Sequence, residues 1–207
     1  MIRAILFDCD GVIIDSYASS ITFLQNTFAH FHLPVPQDKD FYPHLGKKTP
    51  DIITIFTPNL SKDEFDKIYA YAMQESMKVA PSIPLIPHAK QIIQKLSEEQ
   101  YILGVISNRG KTSLDFILSR HNLTSYFSVI LGREDVQFQK PHPEPILKAL
   151  HTLSAPPTEA IYIGDTAIDA QSAKSAHVPS IIYNDPHIDA DYHIADLQEI
   201  QTIVKKL

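Results

Sequence analysis

Ile2-Arg3-Ala4-Ile5-Leu6-Phe7-Asp8-Cys9-Asp10-Gly11-Val12 stands almost at the start of the chain. Ile2 to Phe7 is nearly all apolar, the pattern of a parallel strand buried on both faces. Two carboxylates and a glycine follow at once. Outward from this segment, short apolar runs recur at Tyr101 to Ile106, Ser128 to Leu131, Glu159 to Ile163 and Ser180 to Tyr183. Segments with helical spacing lie between them: His88 to Glu99, Lys111 to His121, Pro143 to Leu153 and Thr166 to Ala176. Strands alternating with helices predict an α/β fold, a parallel sheet covered on both faces. Near the end, Tyr192-His193-Ile194 reads as a short strand. Asp196, with Glu199 three residues on, reads as the cap of a last helix running to about Lys206. Open parallel sheets bind ligands at the carboxyl ends of their strands. Asp8, Ser107 and Asp165 each fall just past such an end, so the fold brings them to one edge.

Residues 16–82 break the alternation. Ile21, Leu24, Phe28 and Phe31 form one apolar helical stripe, and Pro34 and Pro36 end it. Lys62 to Val79 is a second helical stretch, with Phe65, Ile68, Tyr69, Ala72 and Met73 on one side. Pro81, Pro84 and Pro87 mark a stiff return. The expected division is a core of residues 1–15 and 83–207 with a helical insert at 16–82. The alternative is two extra helices packed on the core.

The 207 residues suffice for one sizeable core and a small insert. A hydrophobic fraction of 44% and a charged fraction of 20% are ordinary for a globular protein. A net charge of -6 argues against a broad basic face for nucleic acid. The single cysteine, Cys9, excludes an intramolecular disulfide and reads as a small buried residue. The N-terminal apolar run is too short for a signal peptide, and no stretch reaches the roughly 18 apolar residues of a membrane span. A cytoplasmic protein with no membrane partner, monomeric or a small homo-oligomer, is the expectation.

Four segments carry chemistry: Phe7-Asp8-Cys9-Asp10-Gly11-Val12, Val105-Ile106-Ser107-Asn108, Lys140-Pro141-His142-Pro143, and Ile163-Gly164-Asp165-Thr166-Ala167-Ile168-Asp169. They supply two carboxylates, a hydroxyl, an ammonium and two more carboxylates. In this order they resemble the haloacid dehalogenase-like hydrolases, most of which are magnesium-dependent phosphatases. The nearest branch is the phosphoglycolate phosphatase-like enzymes. The resemblance implies a Rossmann-like doubly wound core with a helical cap inserted after the first motif, closing over the site. It implies that Asp8 is the nucleophile, forming an aspartyl phosphate, and that Asp10 is the general acid and then the base. A carboxylate attacking a phosphate meets charge repulsion, which Mg²⁺ relieves. Asp8, the backbone carbonyl of Asp10, and Asp165 are its expected ligands. Asp169 orients Lys140 or the metal's waters. Lys140 adds a positive charge at the transferring group. The Ser107 hydroxyl and adjacent amides, with Gly11 and Asn108, hold the phosphate. A small phosphorylated metabolite is the expected substrate.

Lys47 and Lys48, in Gly46-Lys47-Lys48-Thr49, are the insert's candidates for substrate contact, and a solvated basic turn is the competing reading. Arg109 and Arg133 are further candidates. Arg109-Gly110-Lys111-Thr112 imitates the tail of a phosphate-binding P-loop. Val105 stands where that loop needs glycine, so the segment reads as a helix start. His187, Asp189, Asp191 and His193 read as a solvated loop, not a metal cluster. His177 stands where the resembled family usually has glycine, which predicts an altered turn there. Three other functions compete. Phosphosugar mutases of the same superfamily keep both aspartates of the first motif, but typically have Glu where Gly164 stands and no acid at the place of Asp169. Dehalogenases lack the second aspartate. A non-catalytic binding module on this fold has no chemical need for Asp10.

Overall fold

The computed structural model describes residues 1–44 and 46–207, which fall into two compact units. One comprises Met1–Asp15 and Leu85–Leu207, the other Ser16–Pro84. In chain order the elements begin with β1 (Ala4–Phe7), α1 (Tyr17–His30), α2 (Asp38–Phe41), α3 (Thr49–Phe56) and α4 (Lys62–Val79). Then come α5 (Ala89–Glu98), β2 (Ile102–Ile106), α6 (Lys111–Arg120), β3 (Phe127–Leu131), α7 (Glu144–Leu153) and β4 (Ala160–Gly164). The last are α8 (Ala167–Ser175), β5 (Ser180–Tyr183), β6 (Tyr192–Ile194) and α9 (Glu199–Val204).

The six strands form one sheet in the order β3-β2-β1-β4-β5-β6, with every pairing parallel. The chain winds outward from β1 in one direction and then, from β4, in the other. The switch in strand order therefore falls between β1 and β4, which makes a crevice at their carboxyl ends. Ala4, Ile5, Leu6 and Phe7 are all buried, as the continuous apolar run requires. On one face Leu6, Ile106, Val129, Ile146, Leu150 and Tyr162 join a single apolar cluster. Gly104 in β2 is a close approach: a β-carbon there would meet Leu6 Cδ2 and Val129 Cγ1 at 2.7 Å each.

The last helix is shorter than its capping pattern predicts. It begins at Glu199, not Asp196, and ends at Val204. The predicted contacts are present but close a turn ahead of the helix. Glu199 Oε1 accepts from the amides of Ala195 and Asp196, while Asp196 Oδ1 accepts from the amide of Gln198. Nor is the turn at His177 altered. His177 keeps the left-handed backbone of a glycine, with φ 57°, despite its side chain. No helix among the described residues is long and apolar enough to cross a membrane.

The second unit has its own core. Ile21, Leu24 and Phe28 of α1 meet Ile68 and Ala72 of α4, as the two stripes predict, and Phe31, Phe65, Tyr69 and Met73 pack at the margin. Ser61 caps α4, and the Glu64 carboxylate returns to the Ser61 amide at 2.9 Å. Two short helices, α2 and α3, lie between the stripes, where the periodicity was too brief to announce them. They add Phe41, Ile52 and Ile53 to the core. Gly46 has φ 83°, Lys47 is exposed and Lys48 stands at the N-cap of α3.

Candidate active site

Three adjacent strands deliver the central side chains. Asp8 follows β1, Ser107 follows β2 and Asp165 follows β4. Backbone bonds fix the first two: the amide of Asp8 donates to Ile163 O at 2.8 Å, and that of Ser107 to Leu131 O at 2.9 Å. Gly11 then turns the chain with φ 77°, and its own amide is used by Ile14 O at 2.8 Å. Only glycine takes that backbone without strain.

Lys140 arrives from the loop before α7, and its placement is over-determined. The Asn108 side chain donates to Lys140 O and accepts from Lys140 N, both at 3.1 Å. Asn108, expected beside the phosphate, here clamps the lysine's backbone with its side-chain amide. Glu144 accepts from the amides of Gln137 and Phe138, and Ser172 of α8 donates to His142 O at 3.0 Å. The side chain is 3% exposed, and among the described residues its ammonium has three partners. These are Asp8 Oδ1 at 2.9 Å, Asp169 Oδ1 at 2.6 Å and the Tyr162 hydroxyl at 2.8 Å. An ammonium has three donors, so all are taken.

Asp169 is equally saturated. Its Oδ1 accepts from Lys140 and from the Tyr162 hydroxyl at 2.9 Å. Its Oδ2 accepts from the Thr166 amide at 3.1 Å and the Thr166 hydroxyl at 2.5 Å. A carboxylate offers about four acceptor sites, so these bonds fill Asp169. Gly164 makes the arrangement possible: a β-carbon there would lie 2.2 Å from Asp169 Cβ.

Asp10 is held by Arg109. The guanidinium donates through Nε to Oδ2 at 3.1 Å and through Nη2 to Oδ1, while Nη1 reaches the Ser113 hydroxyl at 3.0 Å. Ser107 Oγ lies 3.5 Å from Asp10 Oδ2, the limit of a hydrogen bond, and accepts from the Arg109 amide at 3.1 Å.

Electrostatics follow from burial. Burial pushes the Asp8 carboxyl well above the usual carboxylate range; Lys140 opposes this, and Asp169, Asp165 and Asp10 add to the rise. Burial by itself would raise Asp169 and lower Lys140, but their contact outweighs it. Asp169 therefore sits below its ordinary value and Lys140 above. Arg109 is likewise moved upward, because Asp10 overcomes the cost of burying it. The Tyr162 hydroxyl is driven well up, first by burial and then by Asp169. It stays protonated and can donate.

Asp8, Asp165 and Asp169 each offer an oxygen within 4.8 Å of the others, the one such group among the described residues. The donor set suits a hard divalent cation. Among the described residues four carboxyl groups, those of Asp8, Asp10, Asp165 and Asp169, face one ammonium and one guanidinium, so acids outnumber cations at the strand ends. Because Asp169 is filled by other donors, Asp8 and Asp165 are the side chains best able to hold it.

The decoy segments resolve differently. Gly110 caps α6, and the Lys111 amide donates to Glu134 Oε2 at 2.6 Å, so a protein carboxylate occupies that helix end. Asp189 pairs with Lys174, Asp191 accepts from Ser180, and His193 Nε2 meets Ile188 O. One contributor escapes the sequence reading and another is only partly seen. Tyr162 lies inside an apolar run, where a lone tyrosine reads as core. Arg109 is only a further candidate until its pairing with Asp10 is seen.

Residues 5–183 match the haloacid dehalogenase-like hydrolases. The chain belongs to that family. It is 28% identical, over 98% of its length and 95% of the relative's, to a phosphoglycolate phosphatase of Rhodobacter capsulatus. It is 25% identical, over 98% of its length and 97% of the relative's, to the pyrophosphatase PpaX of Oceanobacillus iheyensis. A haloacid dehalogenase-superfamily hydrolase of Geobacter sulfurreducens superposes with a TM-score of 0.80 at 28% identity, covering 98% of this chain and 96% of that one.

Proposed function

We propose that this protein is a Mg²⁺-dependent phosphatase that hydrolyses a small phosphate monoester through an aspartyl phosphate on Asp8. The observation that carries this reading is the shared ammonium of Lys140, buried between Asp8 and Asp169 at 2.9 and 2.6 Å. A buried cation held against a nucleophile is what attack on an anion needs. Asp8 Oδ1 accepts from Lys140 and from the Cys9 amide, the latter at 2.6 Å, so Oδ2 is the oxygen turned to attack.

In the first step Asp8 Oδ2 forms a bond to phosphorus while the bond to the leaving oxygen breaks. Asp10 gives that oxygen a proton. In the second step Asp10 takes a proton from water, the hydroxide bonds to phosphorus, and the bond to Asp8 breaks. Free phosphate and the original carboxylate result. Bound at Asp8, Asp165 and the Asp10 carbonyl, Mg²⁺ would neutralise the charge that builds on the transferring oxygens. Lys140, also a cation, adds to that neutralisation, and Ser107 positions a phosphate oxygen. Asp169 and Tyr162 hold Lys140, and Asn108 fixes its backbone. In this reading the helical insert expected at 16–82, which falls in the compact unit Ser16–Pro84, is a cap that discriminates substrates, with Lys47 and Lys48 as its cationic loop.

The relatives' names point to phosphoglycolate or pyrophosphate as the substrate. A mutase reading is disfavoured by the contact of Gly164 with Asp169, because a glutamate at Gly164 and the acid at Asp169 would compete for one space. The test is phosphate release from a panel of phosphorylated metabolites, with Mg²⁺ and with excess chelator. Hexose 1-phosphates in the panel separate hydrolysis from isomerisation to the 6-phosphate. Release that needs Mg²⁺ and vanishes in Asp8→Asn supports the proposal. Rapid isomerisation without free phosphate overturns it.

A further inference from the structure

We infer that Arg109 makes this site select phosphate compounds whose leaving group carries its own negative charge. The inference rests on the phosphatase reading above, and in particular on Asp10 meeting the leaving oxygen.

Arg109 is built in, not merely nearby. It follows Ser107 and Asn108 at the end of β2. Its amide donates to Ser107 Oγ at 3.1 Å and its carbonyl accepts from the Arg133 amide at 2.9 Å. The side chain, 14% exposed, then reaches forward to Asp10 through two nitrogens and back to Ser113 through the third. A guanidinium carries five N–H donors. Those three bonds leave two among the described residues, one on each terminal nitrogen. The cation is thus one hydrogen bond away from the side chain that handles the leaving oxygen, and it retains donors to spend.

That geometry discriminates in both directions. A leaving group with a carboxylate or phosphate one or two atoms from its oxygen places an anion within reach of the spare donors. The pair made is charge-assisted and forked, the strong class of hydrogen bond. A neutral leaving group of the same size covers the guanidinium and offers it at most an uncharged acceptor such as a hydroxyl, the weaker class of partner. Leaving a charged donor unpaired is more costly than failing to gain a bond. Sites built to bond a polar group reject analogues that lack it more strongly than sites that only fit a shape. Lysine is no substitute here. Its single ammonium cannot hold Asp10 with a fork and still present two further donors in fixed directions.

The test uses a matched pair: phosphoglycolate, whose leaving group is glycolate, and 2-hydroxyethyl phosphate, in which the carboxylate is replaced by a hydroxymethyl group. kcat/KM is measured for both, on the wild type, Arg109→Gln and Arg109→Lys. Any general loss through Asp10 lowers both substrates and cancels in their ratio. The wild-type ratio should favour phosphoglycolate by about 10- to 100-fold, the worth of one hydrogen bond between charged groups. The ratio should collapse toward one in Arg109→Gln and fall substantially in Arg109→Lys. A wild-type ratio near one overturns the inference, and so does a ratio that survives in Arg109→Gln. If the variants do not fold, the wild type alone decides. 3-Phosphonopropionate should inhibit hydrolysis of an aryl phosphate at least about tenfold better than 3-hydroxypropylphosphonate, and equal inhibition refutes the role. Equal release from both esters defeats this inference while leaving the phosphatase reading intact. No release from any ester defeats both.

Discussion

Gly164 and Asp169 occupy each other's space: a β-carbon on Gly164 would fall 2.2 Å from Asp169 Cβ and 2.5 Å from its Cγ. The glycine lets Asp169 fold back over the strand end and reach Lys140. Alanine at 164 must therefore push Asp169, a filled and buried carboxylate, out of position. Overpacking of this kind costs about 1–3 kcal/mol. The expected outcome for Gly164→Ala is a melting temperature lower by roughly 2–12 °C, at about 2–4 °C per kcal/mol for a chain of this size. kcat should fall at least tenfold, as Lys140 loses its anchor. Calorimetry and phosphate release check both, and an unchanged kcat removes Asp169 from the lysine's support.

Tyr162 gives a cleaner probe of the same network, since Tyr162→Phe keeps the ring and deletes only the hydroxyl. That hydroxyl accepts from Lys140 at 2.8 Å and donates to Asp169 at 2.9 Å. Its loss leaves one ammonium donor buried without a partner, at a cost of about 1–3 kcal/mol. We expect kcat to fall about tenfold with KM nearly unchanged, because the residue acts through Lys140 and touches no substrate. Combining it with Lys140→Met discriminates the cause. If Tyr162 works through the ammonium, Tyr162→Phe adds little further loss in that background. Full additivity would mean that the hydroxyl matters only for packing.

The strand ends were legible because a strand buried on both faces is written as one apolar run, and the residue after it is the first that can be polar. Asp8, Ser107 and Asp165 stand at such points, so their convergence follows from periodicity alone. Lys140 was legible only through the family resemblance, since its loop has no period. The Arg109–Asp10 pair joins residues 99 apart. Its geometry depends on how the loop after β2 curls, through the Ser107 and Ser113 hydroxyls, and no local pattern encodes that. Tyr162 was hidden for the opposite reason: its neighbours in β4 are apolar, and a single hydroxyl does not disturb the run. α2 and α3 were missed because four and eight residues hold too few turns to show a stripe.

His177 offers a test of local strain apart from the site. It is exposed and holds φ 57°, a conformation glycine adopts freely. The β-carbon costs roughly 1–2 kcal/mol there, part of which is offset by the larger entropy glycine loses on folding. His177→Gly should therefore stabilise by about 0.5–1 kcal/mol and raise the melting temperature by roughly 1–4 °C. Activity should not change, because the exposed side chain follows the far end of α8 from Asp169. A lower melting temperature would show that the imidazole contributes something the backbone strain does not reveal.

Asp8 joins catalysis to stability, with a definite sign. Asp8→Asn should release no phosphate, a loss of at least about 10³-fold, because an amide cannot form the acyl phosphate. In excess chelator the same substitution reports on burial. The unfolded carboxyl titrates near 3.9, and burial raises it well above that in the folded protein. A raised acid means that folding takes up a proton. The cost of an ionised Asp8 is absent below the unfolded value and grows as pH climbs through the window between the unfolded and folded values. Asparagine never carries that charge. The melting temperature of Asp8→Asn, taken relative to wild type, should therefore rise from pH 4 to pH 7. Saturating Mg²⁺ should shrink the rise, because a cation at Asp8 and Asp165 favours the ionised form that burial opposes. A relative melting temperature that is flat or falling over this range in chelator would remove Asp8 from the buried position on which the proposed attack depends.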